Sequence, residues 1–349
     1  MTTDVVLREA TDEDEGAIAA LVAASPDTGA VTFRPRLQVS ATQAHDTVHD
    51  ATVQVVAEST DGTLVGSAAL SRGTCRFEGA MVPYALLHSL VVGPEHRRQG
   101  IGRALATWRL DRAGEALGED GVVLANIQQG NAASSANAAG WATSTSARTV
   151  VAPVPMRRRP PRGVDGVTLD EAEPGDLEAV AAGICAFSGS HNFGLDWTAE
   201  RLAAWLASSP FDDPVNHCLV ARTRAGDVVA GLALREEGRI RALEVVHMPA
   251  SVRLANLALH VVPRDGVLRN LAVDRIWFAP GQLRAARALW EHARWAWRER
   301  GSDLLVNLDP RGPAWPVVGV RPWSPTTVMR VAVRSARPLD PDRIVDPLL

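Results

Sequence analysis

The chain of 349 residues contains no lysine, so all 36 of its basic residues are arginine. A phosphate loop of the Walker type needs Gly-Lys-Ser or Gly-Lys-Thr and is therefore excluded. Arginine stays charged at ordinary pH and grips phosphate with two parallel donors. Its exclusive use here reads as the codon bias of a GC-rich bacterial genome. Cysteine is scarce too: Cys75, Cys185 and Cys218 are scattered without paired spacing. They read as free thiols in a reducing cytoplasm. No Cys/His cluster has zinc spacing, so no metal is expected. No apolar run approaches the roughly 20 residues of a membrane span. The acidic opening from Met1 to Glu15 has neither the basic start nor the apolar core of a secretory signal. A net charge of −4 leaves no nucleic-acid footprint. What remains, 46% apolar and 22% charged residues, is a globular composition long enough for two domains.

The most informative stretch runs from Leu87 to Leu105. Leu87, Leu90, Val91 and Val92 are strand formers, and Gly93-Pro94 stops the strand. Ile101, Leu105 and Trp108 then fall at helical spacing. Between strand and helix lie Arg97, Arg98, Gln99, Gly100, Ile101, Gly102 and Arg103. Two glycines let the backbone turn tightly and let a ligand come close. Free N–H groups at a helix start, with the positive end of its dipole, hold anions. The three arginines add fixed positive charge, so the stretch predicts a site for a phosphorylated ligand. A dinucleotide fingerprint fails, because Leu105 stands where its third glycine belongs.

R-x-x-G-x-G after a hydrophobic strand resembles the pyrophosphate loop of the GNAT N-acetyltransferase superfamily, with Arg97, Gly100 and Gly102 at the motif positions. A second segment is similar as well. Gly121–Ile127 reads as a strand, Asn131 opens a short helix, and Gly140-Trp141 ends it. Asn131 can cap that helix, and Gly140 can supply a left-handed exit. The resemblance implies acetyl-CoA as acyl donor, and a polar residue such as Asn131 against the pantetheine arm. A plain helix cap accounts for Asn131 equally well.

The chain also repeats itself. Leu7, Glu9 and Asp14 recur at one offset as Leu169, Glu171 and Asp176. The hairpin of Val53–Glu58 and Leu64–Leu70 around Asp61-Gly62 recurs as His217–Arg222 and Val228–Leu234 around Ala225-Gly226. Leu268–Phe278 then stands for the Leu87 strand and Gln282–Arg300 for its helix, with Leu304–Leu308 and Thr327–Val333 as closing strands. The expectation is an α/β (α+β) fold of two tandem GNAT-like domains. Each is a mixed, mostly antiparallel splayed sheet with helices on both faces. Residues 1–151 form the domain with the acyl-CoA site, 152–166 a Pro/Arg-rich linker, 167–335 a degenerate copy and 336–349 a tail. The arrangement resembles mycothiol synthases. The second loop, Phe278–Arg284, keeps one glycine and loses the G-x-G pair, so one cofactor site is expected.

The resemblance also suggests the chemistry. Backbone amides of Leu90, Val91 and Val92 hold and polarise the thioester where the strand splays. His88 is the candidate base, since an imidazole titrates near neutrality; packing in the sheet is its plain alternative. Alternation puts Ser89 on the opposite face. The family's tyrosine acid has no counterpart on helix 132–139, which leaves Tyr84, the one tyrosine, as candidate or as an ordinary sheet aromatic. The acceptor pocket falls to Pro26–Thr47 and His49, with Phe33, Arg34, Arg36, Gln38 and His45. Phe187–Trp197 in the second half, with Ser188, Ser190, His191, Asn192 and Asp196, matches it. Both could equally be solvated loops. Trp290, Trp295 and Trp297, placed on one helix, read as packing. The expected function is transfer of an acetyl or short acyl group to a primary amine of a small molecule. A protein N-terminal or lysine acetyltransferase and a non-catalytic acyl-CoA-binding module are the alternatives. Neither nucleic acid nor membrane is an expected partner, and the oligomeric state is not written in the sequence.

Overall fold

Runs rich in Val, Leu and Ala, punctuated by Asp-Gly, Gly-Pro and Ala-Gly, become the strands of two sheets. The computed structural model describes residues 5–25, 27–28, 31–259, 262–322 and 324–348. The N-terminal half supplies β1 (Val5–Glu9), β2 (Asp27–Thr28), β3 (Thr32–Leu37), β4 (Thr52–Ser59), β5 (Leu64–Phe77), β6 (Ala80–Val92), β7 (Val122–Gln128) and β8 (Ser144–Pro155). Its helices are α1 (Glu15–Ala23), α2 (Ala41–Val48), α3 (Ile101–Leu117) and α4 (Ala132–Ala139). The C-terminal half supplies β9 (Val167–Glu171), β10 (Asn216–Thr223), β11 (Val228–Arg235), β12 (Arg241–His247), β13 (Val267–Leu268), β14 (Leu271–Phe278), β15 (Asp303–Leu308) and β16 (Thr327–Arg334). Its helices are α5 (Leu177–Ser188), α6 (Ala199–Ala207), α7 (Glu237–Ile240), α8 (Ala250–Leu259), α9 (Leu283–Ala296) and α10 (Trp315–Val318).

Twelve strands form one sheet in the order β1-β4-β5-β6-β7-β16-β8-β15-β14-β11-β10-β9. From each edge inward the halves run alike: β1, β4, β5, β6, β7 against β9, β10, β11, β14, β15. The pairs β6·β7 and β14·β15 are parallel and the other pairs antiparallel. This is an α/β fold with a large mixed sheet. At the centre the halves exchange strands. β16 lies between β7 and β8, and β8 pairs with β15. Thr327–Val333 thus closes the first half, where the sequence pattern had it closing its own. Local pattern carries no record of such a long-range pairing.

Other expectations shift for the same reason. β8 continues to Pro155, with Ala152 and Val154 buried, so the first residues of the expected linker are strand. The expected tail is partly core: Val345 and Leu348 are buried against Tyr84, Leu86 and Phe193; Leu349 lies outside the described residues. A second sheet, β13-β12-β3-β2, joins the halves through β3 and β12. The connection expected to line the acceptor pocket is therefore largely strand and helix; its Pro26, Gly29 and Ala30 lie outside the described residues. Trp290 and Trp297 are buried in the core under α9, though Trp297 follows the helix rather than lying on it. Gly140 ends α4 at φ −78°, a right-handed conformation, so the expected left-handed exit is absent.

Candidate active site

The start of α3 is an open helix terminus. Gly100, at φ +88°, stands just before it, and no side chain caps it. A β-carbon at Gly100 would meet nothing within 4 Å, and one at Gly102 nothing nearer than 3.9 Å, among Asn137, Leu90 and Val92. Arg98 is also left-handed, at φ +63°. The loop is shaped by its own side chains: Arg97 Nε donates to the Val92 carbonyl at 3.2 Å, and Gln99 Nε2 to that of Glu95 at 3.0 Å. Arg97, Arg98 and Arg103 are exposed around the terminus. The side chain of Ile101 is buried and anchors α3. Asn137 Nδ2 donates to the Gly102 carbonyl at 2.9 Å and ties α4 to this corner. Unpartnered N–H groups, the dipole and three arginines together suit a pyrophosphate.

Beside this terminus the sheet opens. β6 and β7 pair only at Tyr84↔Val122, Ala85↔Val123 and Leu86↔Leu124, then diverge. Beyond Leu86, the edge of β6 that carries Leu90, Val91 and Val92 is not paired with β7. On its other side β6 meets β5 with a slip in register between Ser67↔Val91 and Ala69↔His88. Ser89 sits in this bulge at φ +52°. A bulge breaks the alternation of faces, and so corrects the expectation for Ser89. Its Oγ lies 3.0 Å from His88 Nδ1 and 3.2 Å from His45 Nε2. His88 Nε2 lies 2.7 Å from Ser71 Oγ, itself 2.8 Å from Thr52 Oγ1. The rings of His45 and His49 pack on that of His88 at 5.0 and 4.6 Å.

Ser89 is exposed in this chain of hydroxyls and imidazoles, while His45, His49 and His88 are half-buried. Burial holds His88 well below the usual histidine range, with the neighbouring His49 and His45 adding to the effect. Burial, then Arg241, lowers His45 to about 4; burial, then Arg235, lowers His49 to about 3. All three are neutral near pH 7, so the expectation that His88 titrates near neutrality is corrected. Arg109, unremarked in the sequence, pins the bulge. It is buried on α3, and its Nη1 donates to the carbonyls of His88 at 3.1 Å and Ala69 at 3.2 Å. An arginine on the apolar face of a helix was the available signal. The i, i+4 spacing of His45 and His49 on α2 was another.

The remaining candidates divide. Asn131 Oδ1 accepts from Ser134 N at 3.0 Å and caps α4. Tyr84 is buried, and burial followed by Asp50 pushes its hydroxyl up to about 12, so it stays protonated. It lines a cavity of about 380 Å³ between the halves, shared with His49, Trp197 and Arg275. Asn192 is spent on structure, clamping Glu78 through N and Oε1 at 2.8 and 2.7 Å; Ser188 Oγ donates to the Ile184 carbonyl. Arg34 faces Glu244 across the small sheet at 3.7 Å. Among the described residues no group of three His, Cys, Asp or Glu is arranged to hold a metal ion.

A fold whose central parallel pair splays beside an uncapped, arginine-ringed helix start defines an acyl-CoA-dependent class of N-acyltransferase. The acetyltransferase (GNAT) family pattern matches residues 13–137, so this segment of the chain is a GNAT-type domain. Its fold is similar over 99% of its length to Saccharomyces cerevisiae N-myristoyltransferase with bound myristoyl-CoA, at TM-score 0.64, 10% identity and 85% of that chain. A GCN5-related N-acetyltransferase from Sphaerobacter thermophilus matches at TM-score 0.59 and 17% identity, over 96% of this chain and 97% of that one. One from Kribbella flavida matches at 0.52 and 17%, over 96% and 71%. At these identities the likeness is one of fold. No curated protein sequence matches the chain.

Proposed function

We propose that the protein transfers an acetyl or other short acyl group from coenzyme A to the primary amine of a small molecule. The observation that carries this reading is the junction of the open α3 terminus, the β6/β7 splay and the Ser89–His88 pair in one corner. Coenzyme A, when bound, supplies an activated acyl thioester. The N–H groups of residues 100–103 and the guanidiniums of Arg97, Arg98 and Arg103 hold its diphosphate. The unpaired edge of β6 at Leu90–Val92 offers backbone donors to a carbonyl oxygen. Proton removal falls to the bulge. With Nε2–H of His88 donated to Ser71, Nδ1 is left to accept the Ser89 hydroxyl proton. Ser89 Oγ then takes the proton that leaves the amine. His88 is neutral, so its Nδ1 is unprotonated. Tyr84, held protonated, is the one phenolic donor of the chain.

No helix among the described residues is long and apolar enough to cross a membrane. We place the enzyme in the cytoplasm on its free thiols. The test is acetyl-CoA with a panel of primary amines, following CoA release and the mass of the product. Turnover is expected for at least one small amine. Tight acetyl-CoA binding with no turnover would leave a non-catalytic binding module. Acylation of peptides in preference to small amines would favour a protein acceptor.

A further inference from the structure

The cavity of about 380 Å³ where the halves meet is lined by charged groups from both halves, Asp274 among the arginines of the second. One wall is the C-terminal end of α2, carrying Asp46, His49 and Asp50. Carbonyls at a helix C-terminus form the negative end of its dipole and favour a cation. Asp46 is exposed and has no ion pair among the described residues. The other wall comes from the second half: Trp197, Arg201 and Arg275. Both guanidiniums lie against the Trp197 ring, at 5.6 and 5.9 Å from its centroid.

Arg201 is partnered, to Asp50 at 2.5 Å and to the Asp196 carbonyl. Arg275 is not. Its side chain is 10% exposed, yet of five possible donors it makes one hydrogen bond, from Nη1 to the Asp274 carbonyl. The closest carboxylate, Asp346, stands 3.9 Å away. Arg275 Nε and Trp197 Nε1 are buried without hydrogen-bond partners among the described residues. Arg235, also in the wall, is already neutralised by Asp274 and Glu237, each at 3.0 Å. A buried guanidinium this poorly satisfied calls for an anion. His49 links the acidic wall to the reactive corner, its ring 4.6 Å from that of His88.

We propose that this cavity takes an acceptor amine carrying its own carboxylate, with the ammonium toward α2 and the carboxylate toward Arg275 and Trp197. The volume lies at the small end of the roughly 300–1,000 Å³ of ligand pockets, which suits a free amino acid or a molecule of similar size. The assignment rests on the acyl-transfer reading for the identity of the ligand, but not for the charge pattern that would bind it.

The test uses the full chain in two arms. The first compares kcat/KM for free amino acids, their α-amides, the corresponding decarboxylated amines and a C-terminally amidated tetrapeptide. The second measures calorimetric binding of the same compounds without acyl donor. Amino acids should be preferred by roughly 10–100-fold over amides and decarboxylated amines, the factor of one charge-assisted contact. Arg275→Gln should erase that preference through KM, with kcat and acetyl-CoA affinity little changed. Trp197→Phe, which keeps an aromatic ring and removes the unpartnered N–H, should reduce the preference if Arg275→Gln does not fold. Equal use of amides or of the tetrapeptide by the unmodified chain would overturn the proposal. So would an unchanged preference in a folded Arg275→Gln protein. If no amine turns over but amino acids still bind better than their amides, the cavity assignment stands and the acyl-transfer reading falls. Equal or absent binding overturns the assignment.

Discussion

The two halves carry the same strands in the same order, yet corresponding positions hold different chemistry. Gly93 N donates to the Val65 carbonyl at the end of β6, and Ala279 N to that of Val229 at the end of β14. Counting back from these equivalent bonds places Asp274 where the first half has His88, and Arg235 where it has Ser71. A neutral hydroxyl–imidazole pair in one half is thus a buried ion pair, Arg235–Asp274, in the other. The helix starts differ as well: α3 begins at a glycine pair, with Gly100 before it and Gly102 in its first turn, and α9 begins after Gly281 and Gln282. The splay of β14 and β15 beyond Ala272 is lined by Pro313, Ala314 and Ile344–Pro347, leaving a cavity of about 40 Å³. There Val345 N donates to Asp309 Oδ2 at 3.1 Å. The shared scaffold supplies a bulge and a splay twice. A few side chains leave one copy open while the other is packed shut.

The sharpest way to break this comparison is Gly102→Asp. An acid in the first turn of a helix is well placed for stability, but it opposes a bound diphosphate. Acetyl-CoA affinity should fall more than roughly 100-fold by calorimetry, with an unchanged melting temperature. The unmodified chain should bind one equivalent; two equivalent sites would erase the distinction between the halves. Next in size is His88→Gln, expected to lower kcat by about 10²–10⁴-fold while acetyl-CoA affinity stays nearly intact. Because burial lowers this imidazole, kcat/KM of the parent enzyme should show no His88 limb between about pH 6 and 8. A limb in that range that vanished in His88→Gln would contradict the buried, neutral ring. Smaller still, Arg97→Gln and Arg98→Gln should each raise KM for acetyl-CoA about tenfold. Arg284→Gln, in the loop of the second half, should leave it unchanged.

The smallest effects separate the halves by pH. His45 and His49 have folded pKa values near 4 and 3, below the ordinary 6.5. Their stabilising contribution is present above 6.5 and is lost as pH falls toward those values. Asp303 in the second half is buried with neither oxygen partnered, and burial raises it from 3.8 to about 7. Its contribution is present below 3.8 and is lost as pH rises through about 7. Melting curves from pH 4 to 8 should therefore flatten on the acid side in His45→Gln/His49→Gln and on the alkaline side in Asp303→Asn. Shifts of roughly 2–4 °C are expected, and the reverse assignment would refute the burial of these groups.

Much of this was legible in the residues. The glycine pair, the stop at Gly93-Pro94 and the hairpin turns are local signals, and each appears where the pattern put it. The anion-friendly helix start followed from Gly100 and Gly102, because backbone geometry at such a turn depends on residue type. Ser89 was misplaced because a strand's face alternation holds only until a bulge, and nothing in His88-Ser89-Leu90 announces one. The packing of His45 and His49 on His88 depends on how α2 docks on the sheet. Arg275 and Trp197 acquire meaning only when the halves meet, so a reading of each half separately missed their cavity.

The exchange of β8 and β16 has a consequence for how the protein is made. During synthesis β7 leaves the ribosome long before β16, the strand that covers its edge. Until nearly the whole chain has been translated, the first half holds an open strand edge, the kind of template that invites pairing with other chains. Contacts of such sequence separation also form slowly. The half that carries the reactive corner must therefore wait for the end of the other half, and a product released early is an aggregation hazard rather than a smaller enzyme.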